Sequence, residues 1–204
     1  MITQELIVKS WQVFKKYGVR SISMDDIARE LSISKKTLYK FVRNKSELLE
    51  KVFENQNNII DLIFEKNRQE RANAIDVLFG VSTDVIKLLS EANPVLTYDL
   101  QKYYPDICKM HLDAKRQKTY EKIKQNIEDG IKEGLYREDI ELEATAMLYV
   151  QNMENLMNTE FLFSKTFLPS DLFKVMFENH IRAIANAIGL EYFNKRLKET
   201  EVKI

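Results

Sequence analysis

Residues 32–49 read SISKKTLYKFVRNKSELL. Five basic side chains, Lys35, Lys36, Lys40, Arg43 and Lys45, fall within twelve positions around a single tyrosine, Tyr39, with no acid before Glu47. Ser34 is a helix N-cap residue, and Leu38 and Val42, four apart, mark the apolar side of a short helix over 35–41. With those two turned to a core, Ser34, Lys35, Lys36, Thr37, Tyr39 and Lys40 are left for the outside. Asn44 with Glu47 three residues on is a second capping signature, which starts a further helix at Lys45.

Upstream, Leu6, Ile7, Trp11, Val13, Phe14 and Tyr17 recur at helical spacing over 4–17, and Gly18 follows as a C-terminal stop. Ser23 precedes Met24, Asp25 and Asp26, so an N-cap and first-turn acids open a second helix over 24–31, with Ile27, Ala28 and Leu31 inward. Helix, short turn, helix, the second member short and basic, is the geometry that lays a recognition helix in the major groove of DNA. Lysines neutralise phosphates, hydroxyls donate to phosphate oxygens, and Thr37 offers a methyl or hydroxyl to a base edge. Lys45 stands at a helix N-terminus, where backbone amides favour anions. The candidate DNA-binding residues are Ser23, Ser34, Lys35, Lys36, Thr37, Tyr39, Lys40 and Lys45.

The ordered set Tyr17-Gly18, Ser23, Asp26-Ile27-Ala28, Leu31, Ser34-Lys35, Thr37-Leu38-Tyr39 and Lys45, spread over roughly residues 5–50, resembles the N-terminal signature of the TetR family of transcriptional regulators. The resemblance implies that Tyr39 and Lys45 hold phosphates and that the third helix reads the groove. It also implies a homodimer paired through the last two long helices as a four-helix bundle. This chain departs from the family's pattern twice: Ser32 stands where glycine is usual in the turn, and Phe41-Val42 stand where His-Phe or Tyr-Phe is common. A non-glycine residue at positive φ costs about 1 kcal/mol, so the turn at Ser32 is a place to look for strain.

Charge and composition fit such a division. The 204 residues carry no formal net charge, yet residues 1–55 hold eleven Lys and Arg against seven Asp and Glu, which leaves the remainder acidic by the same amount. A basic head on an acidic body suits one end that meets a polyanion. Five glycines and three prolines punctuate a chain rich in Leu, Ile, Lys, Glu and Asn, the composition of connected helices. The lone cysteine, Cys108, excludes an internal disulfide framework, and the charged first twenty residues are unlike a secretory signal. A soluble, cytoplasmic protein with no membrane span is expected.

The fourth helix runs from 45 to about 68, roughly 37 Å at the usual rise, long enough to join a head to a separate body. Punctuation then predicts helices over 72–91, ended by Asn93-Pro94; 98–102, with a break at Pro105; 107–132, ended by Gly134; 142–163; and 169–189. The last two of these carry wide apolar faces, Leu142, Ala146, Tyr149, Met153, Leu156 and Phe161 on one, Phe173, Met176, Phe177, His180, Ile181, Ile184 and Ile188 on the other. A monomer core and a twofold interface both account for them. Tyr98, Tyr103, Met110, Tyr120, Met147 and Met153 are the candidate lining of an effector pocket, soft and aromatic with hydroxyl tips, and no cluster of charges announces an ionic ligand.

Other chemistries lack their residues. Cys108 and His111 are two ligands of a metal site, too few to complete one, and neither histidine has a glutamate three residues before it. Phosphate-cradling glycine loops and nucleophile elbows are absent, so no enzyme and no cofactor is expected. The expected protein is all-α: a three-helix helix-turn-helix DNA-binding head over 1–47, joined by a long helix to a ligand-binding and dimerising helical bundle within 48–204. Its expected role is a homodimeric regulator, a repressor of a palindromic double-stranded operator released by an apolar or aromatic small molecule. A helical small-molecule-binding or adaptor protein without operator binding is the alternative, which the intact basic surface on the third helix disfavours.

Overall fold

The computed structural model describes residues 2–91, 93–156 and 167–201. Among these the elements are ten helices: α1 Ile2–Tyr17, α2 Met24–Glu30, α3 Lys35–Phe41, α4 Lys45–Glu70, α5 Ala74–Ser90, α6 Pro94–Tyr103, α7 Pro105–Lys132, α8 Leu142–Leu156, α9 Pro169–Ile184 and α10 Ala187–Glu201. One isolated antiparallel bridge, Tyr136 to Ala185, is the sole β-type pairing among them. The fold is all-α, as the composition implies. None of the described helices is long and apolar enough to cross a membrane.

Two compact units form, one from Met1–Ile59 with Ala92–Lys115, the other from Ile60–Glu91 with Arg116–Ile204. These units are drawn differently from the 1–47 and 48–204 division, because the core of the first reaches far along the chain. Leu6, Phe14, Ile27, Leu38, Leu48, Leu49 and Phe53 share it with Leu96, Leu100, Ile107 and Cys108 of α6 and α7. Trp11 meets Phe53 edge to face, ring centroids 5.9 Å apart. In the second unit α9 packs on α5, α8 and α10. Phe79, Phe177 and Phe193 form an aromatic triad there, with centroids 5.3 to 6.1 Å apart.

Local signals explain most helix ends. Gly18 takes φ +76° and returns its amide to Phe14 O at 2.9 Å, closing α1. Ser23 and Asp26 complete a capping box on α2, and Asn73 caps α5 through the Asp76 amide at 2.9 Å. The helix expected over 72–91 ends at Ser90, ahead of Asn93-Pro94, and that pair also begins the next helix. Asn93 accepts from Val95 N at 2.9 Å and Pro94 is the first residue of α6, where a missing N–H costs nothing. Pro105 likewise opens α7 after Tyr104 leaves the helical region.

The helix expected over 169–189 is two. Ala185 is extended (φ −72°, ψ 143°), and α10 restarts at Ala187. The break is held by the segment after α7: Arg137 N donates to Ile184 O at 2.9 Å, Asn186 N to Leu135 O at 3.0 Å, and Asn186 Nδ2 to Gly134 O at 2.8 Å. The restart explains why Ile188, read as inward, is 67% exposed while Phe193 is fully buried. Gly189 is therefore no stop. A Cβ on it would lie 2.1 Å from the Leu135 carbonyl oxygen, a backbone atom that cannot rotate away. The end expected for the helix over 142–163, with Phe161, lies outside the described residues.

Both histidines are internal. His180 sits against Tyr149, centroids 4.7 Å apart, and His111 against Phe53 at 4.6 Å. His180 Nε2 and His111 Nδ1 are buried without a hydrogen-bond partner. Burial pulls both imidazoles down to about 4, for His111 with help from the Lys115 charge. An unfolded chain protonates each near pH 6.5, the folded one only near 4. Their contribution is therefore full above pH 6.5 and falls as pH drops from 6.5 to 4, by roughly 3 kcal/mol each. Carboxylates held low by ion pairs, such as Glu65 beside Lys122, lose their share only further down.

Two outcomes are expected. Denaturant unfolding from pH 7 to pH 4.5 shows falling stability, with a shallower slope in His180→Gln; a flat wild-type profile over that window refutes the buried neutral histidines. Gly189→Ala lowers unfolding free energy by about 1–3 kcal/mol, since overpacking against fixed backbone cannot relax; an unchanged midpoint contradicts the contact.

Candidate nucleic-acid interface

The seven residues of α3 are too few to hold a helix by propensity, so tertiary anchors set its pose. Leu38 is fully buried and Val42, extended at φ −143°, is nearly so. At the front, Ser34 accepts from Thr37 N at 3.0 Å and shares a hydrogen bond with Thr37 Oγ1 at 2.7 Å. The turn before it closes with Ser32 N on Arg29 O and Ile33 N on Ala28 O, both at 3.0 Å, and Ser32 takes φ +54°. That is a Schellman end with serine in the left-handed position glycine usually fills, the strained turn expected from sequence.

With Leu38 fixed inward, Lys36, Thr37 and Lys40 fall on one side of α3 at three- and four-residue spacing. Lys36 and Lys40 are exposed and carry no ion pair among the described residues. Tyr39 is 42% exposed beside them, with the Lys35 ammonium 6.0 Å from its ring centroid. Lys35 itself is paired to Asp25 at 2.8 Å, which raises its pKa through that hydrogen bond and charge and leaves less of it for a phosphate. Ser23 is spent on its capping box, its hydroxyl on Asp26 at 2.6 Å.

Lys45 lies differently from a plain anion-holding terminus. It is half-buried, and its ammonium donates to the Ile22 carbonyl. Burial lowers its pKa, while the carboxylates of Asp99 and Asp26 push the other way. The side chain ties the start of α4 to the segment before α2.

Sequence reading missed a clasp from α6 onto that segment. Asp99 is buried and accepts from Arg20 N at 2.9 Å. Asn93 Nδ2 donates to Lys15 O at 2.6 Å, and the Arg20 guanidinium lies over Tyr103, 4.8 Å from its centroid. A carboxylate in a short helix between two prolines was the only signal, and nothing local says what it faces.

The six candidate pocket residues divide between the units. Tyr98, Tyr103 and Met110 lie in the first, with Tyr98 on Lys102 at 2.8 Å and Met110 56% exposed. Tyr120, Met147 and Met153 lie in the second; Tyr120 and Met153 pack on its core and Met147 is 39% exposed. A cavity of about 420 Å³ occurs in the second unit, lined by none of the six. Cys108, expected at most as half of a metal site with His111, is buried apolar filling.

Comparison with known proteins agrees with this geometry. Residues 6–52 match the family described as bacterial regulatory proteins, tetR family. No curated protein matches the chain in sequence. Among solved structures, a transcriptional regulator from Cytophaga hutchinsonii superposes with a TM-score of 0.71 at 19% identity, covering 90% of this chain and 98% of that one. A regulatory protein TetR from Rhodobacter sphaeroides gives 0.70 at 15%, covering 89% and 97%. A transcriptional regulator from Saccharomonospora viridis in complex with choline gives 0.64 at 19%, covering 91% and 98%. At these identities the structures speak for the fold, and the family match speaks for residues 6–52. Residues 6–52 carry the sequence match to the TetR family of bacterial regulatory proteins, and the chain shares the fold of solved regulators.

Proposed function

We propose that this DNA-binding transcriptional regulator is a cytoplasmic repressor that grips a palindromic operator as a homodimer and lets go when a small molecule binds its C-terminal part. The reading gives 1–47 the DNA contact and 48–204 the ligand and dimer contacts. It is carried by the exposed, unpaired Lys36 and Lys40 with Thr37 and Tyr39 on a helix locked by buried Leu38. Tyr39, Lys36 and Lys40 hold phosphates, and Thr37 reads a base edge in the major groove. Lys45 acts more as a positioning residue than as a free cation, because its ammonium already serves Ile22.

A twofold reader of a palindrome needs a twofold interface. Leu148 on α8 and Val175 on α9, each 60% exposed, suit that contact. A regulator of the same fold was solved with choline, which supports small-molecule binding by such a body. Coupling of about 2 kcal/mol suffices to weaken operator binding ~30-fold.

Operator selection from random duplex DNA, followed by anisotropy at several salt concentrations, tests the DNA step. Lys36→Ala and Lys40→Ala each weaken binding to any sequence and reduce the salt slope by about 1, while Thr37→Val changes the preferred sequence. No salt-sensitive, sequence-selective binding by the wild type sinks the repressor reading. For the interface, sedimentation of Leu148→Glu and Val175→Glu shifts from dimer toward monomer with the helical spectrum kept; a wild-type monomer at micromolar concentration overturns it.

A further inference from the structure

The cavity in the second unit has a chemistry that the sequence did not announce. It opens where the last turn of α4, the 71–73 connection, the first turn of α5 and the end of α7 meet. Arg68, Arg71, Lys122 and Lys132 line it, against Asp129 and Glu133. The two acids are committed: Asp129 accepts from Arg68 Nη2 at 3.0 Å and from Gln125 Nε2 at 2.9 Å, and Glu133 accepts from Ala74 N at 2.8 Å. Lys122 is bonded to Glu65 at 2.9 Å, with Asp61 at 3.7 Å. Arg71 and Lys132 have no ion-pair partner among the described residues, so the lining keeps two more positive charges than negative.

The polar floor is built rather than incidental. Asn126 is buried, donating to Ala74 O at 2.9 Å and accepting from the Tyr136 hydroxyl at 3.2 Å. Glu133 at the first amide of α5 shows that the protein already settles one anionic group at this helix end. The size falls in the range of about 300–1,000 Å³ usual for small-molecule sites.

We propose that this cavity binds a small polyanion bearing phosphate or carboxylate groups, with Arg71 and Lys132 as its principal ligands. The guanidinium of Arg71 offers a planar fork that matches either group in two parallel hydrogen bonds, and Lys132 adds a point charge. Arg68 and Lys122, each held by its carboxylate, shape the field without being free to move. Identifying the polyanion with the regulatory effector rests on the function proposed above; the binding itself does not.

Calorimetric titration of the full chain with inorganic pyrophosphate, and separately with citrate, tests the site. Saturable binding of one probe per chain is expected, weakened about 10-fold or more in the Arg71→Ala/Lys132→Ala double variant. Both positions are exposed, so the variant keeps its fold, checked by its unfolding midpoint. Lys36→Ala/Lys40→Ala, which strips the basic head, is expected to leave the titration unchanged. Whichever probe binds tighter separates phosphate from carboxylate chemistry. Absence of saturable binding to both probes, equal affinity in the cavity variant, or loss in the head variant alone overturns the proposal. Operator anisotropy on the wild-type protein is a separate readout: its failure overturns the repressor reading and leaves the cavity's result standing.

Discussion

Burial of Leu38 is the contact on which the candidate interface depends. A seven-residue helix gains little from its own hydrogen bonds, so what it shows to solvent is decided by what it hides. With Leu38 at zero exposure and Val42 next to it, rotation of α3 about its axis would bring Lys36 or Lys40 toward an apolar core, at the cost of desolvating a charge. The outward pose of Lys36, Thr37 and Lys40 is therefore set by hydrophobic packing, and electrostatics acts on a surface that packing has already chosen.

The head owes its rigidity to residues well beyond its helix-turn-helix. Lys45 spans from α4 to the Ile22 carbonyl, and Asp99 of α6 holds the amide of Arg20. Gly18 fits the same place for a steric reason, since a Cβ there would lie 2.9 Å from the Asp99 carboxylate. The strain of Ser32 at positive φ is offset by two backbone hydrogen bonds and a serine cap within three residues.

Much of this was legible in sequence where local chemistry sufficed. Capping residues and apolar spacing gave α1 to α4 almost to the residue, and the departure at Ser32 pointed to a left-handed backbone that is indeed there. Failures came where a residue's role is set by partners remote in sequence. Asn93-Pro94, read only as a stop, also begins a helix, and Gly189, which looks like a stop, admits the Leu135 carbonyl. The aromatic and methionine residues taken as a pocket are mostly filling or surface. Arg68 and Arg71, three apart at the end of α4, were readable as basic residues, but only folding brings Lys122 and Lys132 to them.

The first unit's core has a consequence for how the protein is made. Helix α3 is complete by residue 41, yet the Leu96, Leu100, Ile107 and Cys108 that close the core beneath it are translated some time later. At the usual synthesis rate of about 5–20 residues per second, a nascent head spends seconds outside the ribosome with an apolar face uncovered. A chain stopped near residue 47 would keep every candidate DNA-binding side chain and lack the floor they stand on. In this protein the order of synthesis and the order of structural completion are not the same.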